Sequence, residues 1–270
     1  MPAKSKINRP LEGDIKAALI QCFRDKNPSF KKTTIINELT VNLLSRRADL
    51  VFIDEDMQAF EIKSEADQLS RLAGQTETYL QFFDKVTIVA ASKHIEEILK
   101  STPKHVAVWE FVEFKFKIRR RGKKLPIKDK SSLIRLMTAN ELKKTLSQAG
   151  VVASLKRRAE LVSAVSELSV ASIRRQTIAS IKSRYENSTI LFWSKVRKYT
   201  VKPKHLKFLS QFHKNRIAIE KQKEKHDSML KTWGGIDVVS DDTHLKKWAE
   251  KNSIEPLGPV PKHIKDLISA

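Results

Sequence analysis

Two short strand-like runs that carry charged side chains constrain the fold of this chain more than any other feature. Residues 48–53 (ADLVFI) and 59–63 (AFEIK) are rich in residues that favour strands, and an acidic turn at 54–56 separates them. If that turn is a three-residue hairpin loop, Ile53 pairs with Met57. The pattern therefore predicts an antiparallel hairpin whose register decides which side chains share a face.

Three charged side chains lie inside this hairpin. Alternation along a strand places Glu61 and Lys63 on one face, and the hairpin register sets Asp49 opposite Glu61. Cβ atoms of cross-strand pairs are about 4.5–5.5 Å apart, so the two carboxylates could share a divalent cation, whereas without one they would repel each other. Oxygen ligands suit Mg²⁺ or Mn²⁺, with Lys63 placed to hold or activate a water. The alternative is an ion pair between Asp49 and Lys63 on an exposed sheet face.

The segments around the hairpin predict an α/β domain. The order of helical and strand-like patterns is α-β-β-β-α-β-α-β, which indicates a mixed sheet covered by helices. The predicted helices are 11–24, 67–83 and 94–100, and the predicted strands are 34–43, 48–53, 59–63, 85–91 and 105–111.

Further polar residues support a site at the hairpin. Glu38 lies in the apolar run IINELTV, where an unpaired carboxylate is costly. Gln75 and Tyr79 lie one turn apart on a face of the following helix that we expect to be exposed, together with Arg71. The ordered set resembles the PD-(D/E)XK nuclease superfamily, in particular a bacterial and phage group with RAD, EIKS and RL..Q...Y motifs. The residues that carry the resemblance are Glu38, Asp49, Glu61, Lys63, Asp67, Leu69, Arg71, Leu72, Gln75 and Tyr79.

The resemblance covers about residues 11–112 and implies a restriction-endonuclease-like fold. It implies that Asp49 and Glu61 bind Mg²⁺, or Mn²⁺, and that Lys63 assists attack of water on a phosphodiester. The proline of the family name is absent, because Ala48 precedes Asp49.

The same resemblance suggests roles for the neighbouring residues. It implies an additional carboxylate, and Glu38 is the expected fourth catalytic and metal-binding member, with Glu12 on the first helix as the competing candidate. Gln75 is expected to position groups at the site or to contact phosphate. Arg71 and Tyr79 are expected to contact DNA. For Gln75 and Arg71, an exposed polar helix face is the alternative.

The net charge of +21 is unevenly distributed along the chain. Residues 1–100 hold 15 basic and 15 acidic side chains, so the whole excess lies in residues 101–270. Such asymmetry indicates a polyanionic partner, and a merely soluble basic protein is the alternative. The resemblance implies that this partner is DNA. The segment 115–130, with nine basic residues in sixteen, is interpreted as a basic linker whose Arg119, Arg120 and Arg121 contact DNA.

The second half of the chain is predicted to be mainly α-helical and basic. Thr138 and Glu141 fit a capping box, and Gly150 is a natural helix stop. Residues 135–168 loosely resemble a SAP-type helix-loop-helix, and an ordinary helical hairpin is the alternative. Either structure allows phosphate contacts by Lys156, Arg157 and Arg158. The expected organisation is a nuclease-like domain at 1–114, the linker at 115–130, a helical region at 131–190 and a basic helical extension and tail at 191–270.

Other features restrict the class of protein. Cys22 is the single cysteine, which excludes an internal disulfide framework. No apolar leader or membrane-length run occurs, so we expect a cytoplasmic protein without a membrane partner. The sequence thus predicts a metal-dependent DNA nuclease. The alternatives are an RNA-directed nuclease or a non-catalytic nucleic-acid-binding protein. A homodimer is plausible for an enzyme that cuts duplexes.

Overall fold

A six-stranded mixed sheet forms the N-terminal half of the fold. The computed structural model describes residues 10–41, 46–151, 157–196 and 199–209. The strands are β1 (Thr34–Val41), β2 (Arg46–Ile53), β3 (Met57–Lys63), β4 (Lys85–Ala91), β5 (Ala107–Val112) and β6 (Lys115–Arg120). They lie side by side in chain order; β3, β4 and β5 are parallel to one another, and the other neighbouring pairs are antiparallel.

Helices cover the sheet and make up the second half of the described chain. They are α1 (Glu12–Lys26), α2 (Leu72–Phe82), α3 (Ile95–Ser101), α4 (Lys130–Arg135), α5 (Ala139–Gln148), α6 (Arg158–Ser166) and α7 (Val170–Val196), with short 3₁₀ helices at Pro28–Lys32, Ser92–His94 and Pro203–Leu209. The predicted mixed sheet followed by a helical region is therefore confirmed. Within the described ranges, no helix is long and apolar enough to span a membrane.

The hairpin register follows the prediction, whereas one strand was missed. Ile53 pairs with Met57 across a three-residue loop, as the acidic turn predicted. The interpretation of 115–130 as a linker is wrong for its first part, because β6 pairs there with β5 through Phe116 and Phe111. The alternation of Lys with Phe116 and Ile118 is typical of an exposed edge strand, where charged side chains block further pairing.

The core has two layers, one on each face of the sheet. The first layer lies under α2 and α3 and extends through α4, α5 and α6 to the first half of α7, including Ile173 and Ile181. The second layer lies under α1 and includes Phe192 and Val196 from the end of the 27-residue α7. Because α7 contributes to both layers, the helical region shares its core with the sheet.

A buried carboxylate ties α7 to the sheet near the hairpin. Asp84, just before β4, accepts hydrogen bonds from the backbone N–H of Met57 at 2.8 Å and of Ile127 at 2.9 Å. Arg174 on α7 donates from both terminal nitrogens to the same carboxylate at 2.7 Å. These bonds raise the pKa of Arg174 and fix the beginning of β3 against α7.

The helical pair at α5 and α6 agrees with the sequence pattern. The side chain of Glu141 accepts a hydrogen bond from the backbone N–H of Thr138 at 2.6 Å, and the Thr138 hydroxyl accepts from the Glu141 N–H at 3.3 Å. Gly150 follows the helix in the left-handed region at φ +76°. The predicted capping box and helix stop are confirmed. The SAP likeness stays a prediction, because residues 152–156 of the connecting loop lie outside the described ranges.

Candidate active site

The predicted cluster lies where the pairing of β2 with β3 ends. Backbone pairing runs from the loop as far as Leu50 opposite Phe60, and Asp49 follows directly. There Asp49 Oδ2 accepts a hydrogen bond of 2.7 Å from the backbone N–H of Ile62. The Asp49 carboxylate thus takes the place of a β2 backbone acceptor for the Ile62 N–H of β3. This hydrogen bond holds the carboxylate beside Glu61.

Glu61 and Lys63 are almost completely buried on β3, with 2% and 7% of their surfaces exposed. Lys63 Nζ lies 2.6 Å from Glu61 Oε1 and 3.1 Å from Gln75 Oε1 on α2. The other oxygen, Glu61 Oε2, is buried and has no hydrogen-bond partner. Since a buried carboxylate oxygen without a partner is costly, this atom suits a bound cation.

The electrostatics of Asp49 also favour a cation at this place. Burial, followed by the negative charge of Glu61, raises the pKa of the Asp49 carboxyl from 3.8 to about 7. The charge of Lys16 and the N–H of Ile62 act in the opposite direction without cancelling the effect. Two mutually repelling carboxylates, one with an unsatisfied oxygen, are a donor set that fits Mg²⁺ or Mn²⁺.

Lys16 on α1 is a functional candidate that was not predicted from the sequence. It is 3% exposed, and its Nζ lies 2.5 Å from Glu12 Oε1 and 3.9 Å from Glu38 Oε1. The spacing Glu12–Lys16 is the available signal, because residues four apart share a helix face. The lysine also follows Ile15, whose side chain belongs to the buried face.

The predicted fourth carboxylate does not complete the set. Glu38 lies at a left-handed backbone position in β1, with φ +67°, and its Oε2 lies 3.3 Å from Arg47 Nη1. Glu12 and Glu38 both contact Lys16, so the ion pairs favour neither of them. Across the described residues, no group of three or more His, Cys, Asp and Glu side chains is placed to hold a metal ion.

Helix α2 supplies one predicted site residue and buries another. Gln75 reaches Lys63, as expected for a positioning residue. Tyr79 is fully buried and donates from its hydroxyl to the Arg47 carbonyl at 2.7 Å. Burial, followed by the charge of Glu61, raises the pKa of Tyr79. The prediction of an exposed, DNA-contacting Tyr79 is wrong, because its ring belongs to the core. Arg71, just before α2, is exposed.

The three arginines of the supposed linker have different environments. Arg119 Nε donates to Glu110 Oε2 at 2.8 Å, so a carboxylate already contacts its charge. Arg120 donates to the carbonyls of Val106 at 2.7 Å and Leu99 at 3.2 Å. These hydrogen bonds connect β6 to the end of α3 and to the residue before β5. Arg121 is exposed and remains a candidate for DNA contact.

Two of the three basic residues predicted at the start of α6 are described. Arg157 and Arg158 are exposed, and Arg158 Nη2 donates to the Met137 carbonyl at 2.9 Å. Their position at the surface is compatible with phosphate contacts. Lys156 lies outside the described residues.

Comparison with known proteins gives one family that spans most of the chain. The model of the family described as bacteriophage P4 protein cII matches residues 5–210. Protein cII of Enterobacteria phage P4 is 32% identical over 253 residues, which cover 91% of this chain and 94% of that protein. Among solved structures, the SPO1766 protein of unknown function from Silicibacter pomeroyi aligns with a TM-score of 0.36 and 13% identity, over 54% of this chain and 99% of that chain. That structural likeness is too low to support an argument about fold or function.

Proposed function

We propose that this chain, which belongs to the bacteriophage P4 protein cII family, is a metal-dependent DNA nuclease of the PD-(D/E)XK type with a restriction-endonuclease-like fold. The observation that carries the proposal is the cluster of the buried Glu61 and Lys63 with the half-buried Asp49, in which Glu61 Oε2 has no hydrogen-bond partner. A protein that only binds DNA has no use for buried carboxylates that would repel phosphate.

Asp49 and Glu61 are the residues that would hold Mg²⁺ or Mn²⁺. Such an ion, when bound, supplies Lewis-acid polarisation of the phosphodiester and lowers the pKa of bound water. The N–H of Ile62 keeps Asp49 in place, and Lys63 holds one oxygen of Glu61, so the second oxygen remains available as a donor. Both carboxylates are therefore oriented before any ligand binds.

Lys63 is the proposed catalytic cation. Its ammonium group contacts Glu61 and Gln75, and these two acceptors fix the direction of the side chain. An ammonium in this position can hold an attacking water and offset the negative charge that develops on the phosphorus oxygens. Gln75 acts as a positioning residue, because it contacts Lys63 from a different element of the fold.

DNA is the proposed substrate because the basic excess has the sign that a phosphate backbone requires. The whole net charge of +21 belongs to residues 101–270. Exposed basic side chains such as Arg121, Arg157 and Arg158 can contact phosphates without reading sequence. RNA carries the same backbone charge, so a direct comparison of the two polymers has to be part of the test.

One observation favours the alternative of a non-catalytic DNA-binding protein. Glu61 and Glu38 are each already within ion-pair distance of basic side chains, namely Lys63 for Glu61 and both Lys16 and Arg47 for Glu38. These internal cations neutralise part of the acidic charge. They leave Glu61 Oε2 without a partner, and for this reason the nuclease is the preferred function.

The test is cleavage of labelled single-stranded, duplex and branched DNA, and of RNA of matched length, with Mg²⁺, Mn²⁺ or EDTA. We expect metal-dependent cutting of DNA that Asp49→Asn and Lys63→Met both abolish. The control Lys100→Met changes an exposed lysine on α3 and should cut at the wild-type rate. Binding without cutting under every condition would support the non-catalytic alternative. Preferential cutting of RNA would show that the substrate is RNA rather than DNA.

A further inference from the structure

The hairpin that joins β5 to β6 has a strained tip. Its two-residue loop consists of Glu113 at φ +50° and Phe114 at φ +57°, between the paired residues Val112 and Lys115. Two-residue loops of this conformation favour Asn-Gly, because a left-handed backbone is unfavourable for residues with a bulky side chain. A strained conformation that is retained at an exposed tip points to a function for its side chains.

The side chain at this tip is an exposed aromatic ring. Phe114 is 63% exposed, and its ring contacts Phe111 edge-on with centroids 5.9 Å apart. Phe111 in turn contacts Phe116 at 4.9 Å, so an aromatic row supports the tip from the sheet. The neighbouring Lys115 and Lys117 are exposed on the edge strand. The ring of Phe114 is therefore presented to solvent on an aromatic base, and the exposed lysines Lys115 and Lys117 follow it in the chain.

The tip lies at the same edge of the sheet as the candidate active site. Strands β3, β4 and β5 are parallel, so their C-terminal ends meet at one edge. Lys63 is in register with Ala90, and Ala90 is in register with Glu110. The turn with Phe114 begins three residues after Glu110, two strands from Lys63. At about 4.7–4.9 Å between neighbouring strands, the lateral separation is about 10 Å.

We propose that Phe114 stacks on an unpaired base of the nucleic acid whose backbone lies in the active site. The inference rests on the proposed nuclease function and deepens it, because it names single-stranded or branched DNA as the preferred substrate over continuous duplex. Every base offers a π-face, so stacking tolerates any sequence but requires a base that is free of its partner. Lys115 and Lys117 supply charge for the adjoining phosphates, and Glu113 is the one acidic residue among residues 113–117.

The test is equilibrium binding of fluorescent oligonucleotides to the full-length protein in EDTA, where nothing is cleaved. Phe114→Leu keeps an apolar side chain but removes the ring, and it should weaken single-strand binding about tenfold while duplex binding changes less than about twofold. Ile190→Ala is the matched control, because it removes an apolar side chain that is 60% exposed on α7. It should leave both affinities unchanged.

A second variant separates stacking from folding. The double substitution Glu113→Asn with Phe114→Gly introduces the preferred loop residues, so resistance to urea should be equal to or higher than that of the wild type while single-strand affinity falls. Unchanged single-strand affinity in both variants, or an equal loss for single strands and duplex, would overturn the inference. If either result is found while the wild type cuts DNA with a metal ion, the stacking inference is wrong and the nuclease proposal is retained. A wild-type protein that binds no nucleic acid overturns both.

Discussion

Replacement of Asp49 by Asn should make the protein more stable at neutral and alkaline pH. The carboxyl is half-buried beside Glu61, and its pKa of about 7 exceeds the reference value of 3.8. Asn cannot ionise, yet its carbonyl oxygen can still accept the hydrogen bond that Asp49 receives from Ile62. The substitution therefore removes the repulsion and retains the local structure.

The sign of the effect follows from proton linkage. Between about pH 4 and pH 7 the folded wild type keeps the Asp49 proton and the unfolded chain loses it, so the free energy of unfolding decreases as the pH rises. A shift of about three units corresponds to at most about 4 kcal/mol. Since Asp49 is partly exposed and solvent screens part of the interaction, we expect Asp49→Asn to add about 2–4 kcal/mol at pH 8 and little near pH 4.

Urea unfolding in EDTA, followed across this pH range, measures the difference. Asp25→Asn is the control, because that carboxylate is 62% exposed on α1, and its substitution should have no comparable effect. Addition of Mg²⁺ at pH 8 should stabilise the wild type and leave Asp49→Asn unchanged. The reasoning would be refuted if Asp49→Asn were less stable than the wild type at pH 8, or if the difference did not depend on pH.

Three further substitutions test other parts of the structure by urea unfolding. Arg174→Met leaves the buried carboxylate of Asp84 without its cation. It should lower the free energy of unfolding by about 3–5 kcal/mol, and a decrease below about 1 kcal/mol would contradict a structural role for the ion pair. Gly122 has φ +65°, and Gly122→Ala places a Cβ 2.5 Å from the backbone nitrogen of Ala107. We expect this substitution to lower the free energy of unfolding by at least about 1–3 kcal/mol. An unchanged midpoint of urea unfolding would disprove this close approach. Lys16→Gln removes a buried cation whose charge acts on Asp49, and it should cost about 1–3 kcal/mol. The cost should be larger at pH 8 than at pH 5, where Asp49 keeps its proton in the folded protein. An equal cost at both pH values would contradict the electrostatic role of Lys16.

Local patterns were sufficient to predict most of the sheet. Strand β4 has the predicted bounds, and the acidic three-residue turn was enough to set the register of Ile53 and Met57. Both depend on near neighbours in sequence, because alternation and loop length act over a few residues. Strand β6 was missed since an exposed edge strand can be as charged as a linker, and only its pairing with β5 distinguishes the two.

Contacts between distant segments could not be predicted in the same way. The sequence places Tyr79 on an exposed helix face, but the sheet covers it. Its hydroxyl donates to the backbone carbonyl of Arg47, 32 residues away in the chain. Lys16 was overlooked because a lysine in an amphipathic helix is ordinarily at the surface, and its burial depends on Glu12 and Glu38.

By itself, the sequence determined the mixed α/β order, the hairpin and the convergence of Glu61 and Lys63 on one face, because the periodicity of a strand acts locally. Only the tertiary structure decided that Asp49 bonds to β3 through its side chain and that Glu61 Oε2 lacks a partner. It also decided that α7 completes both core layers. These features depend on desolvation and on charges brought together from distant segments, and both arise only when the chain is folded.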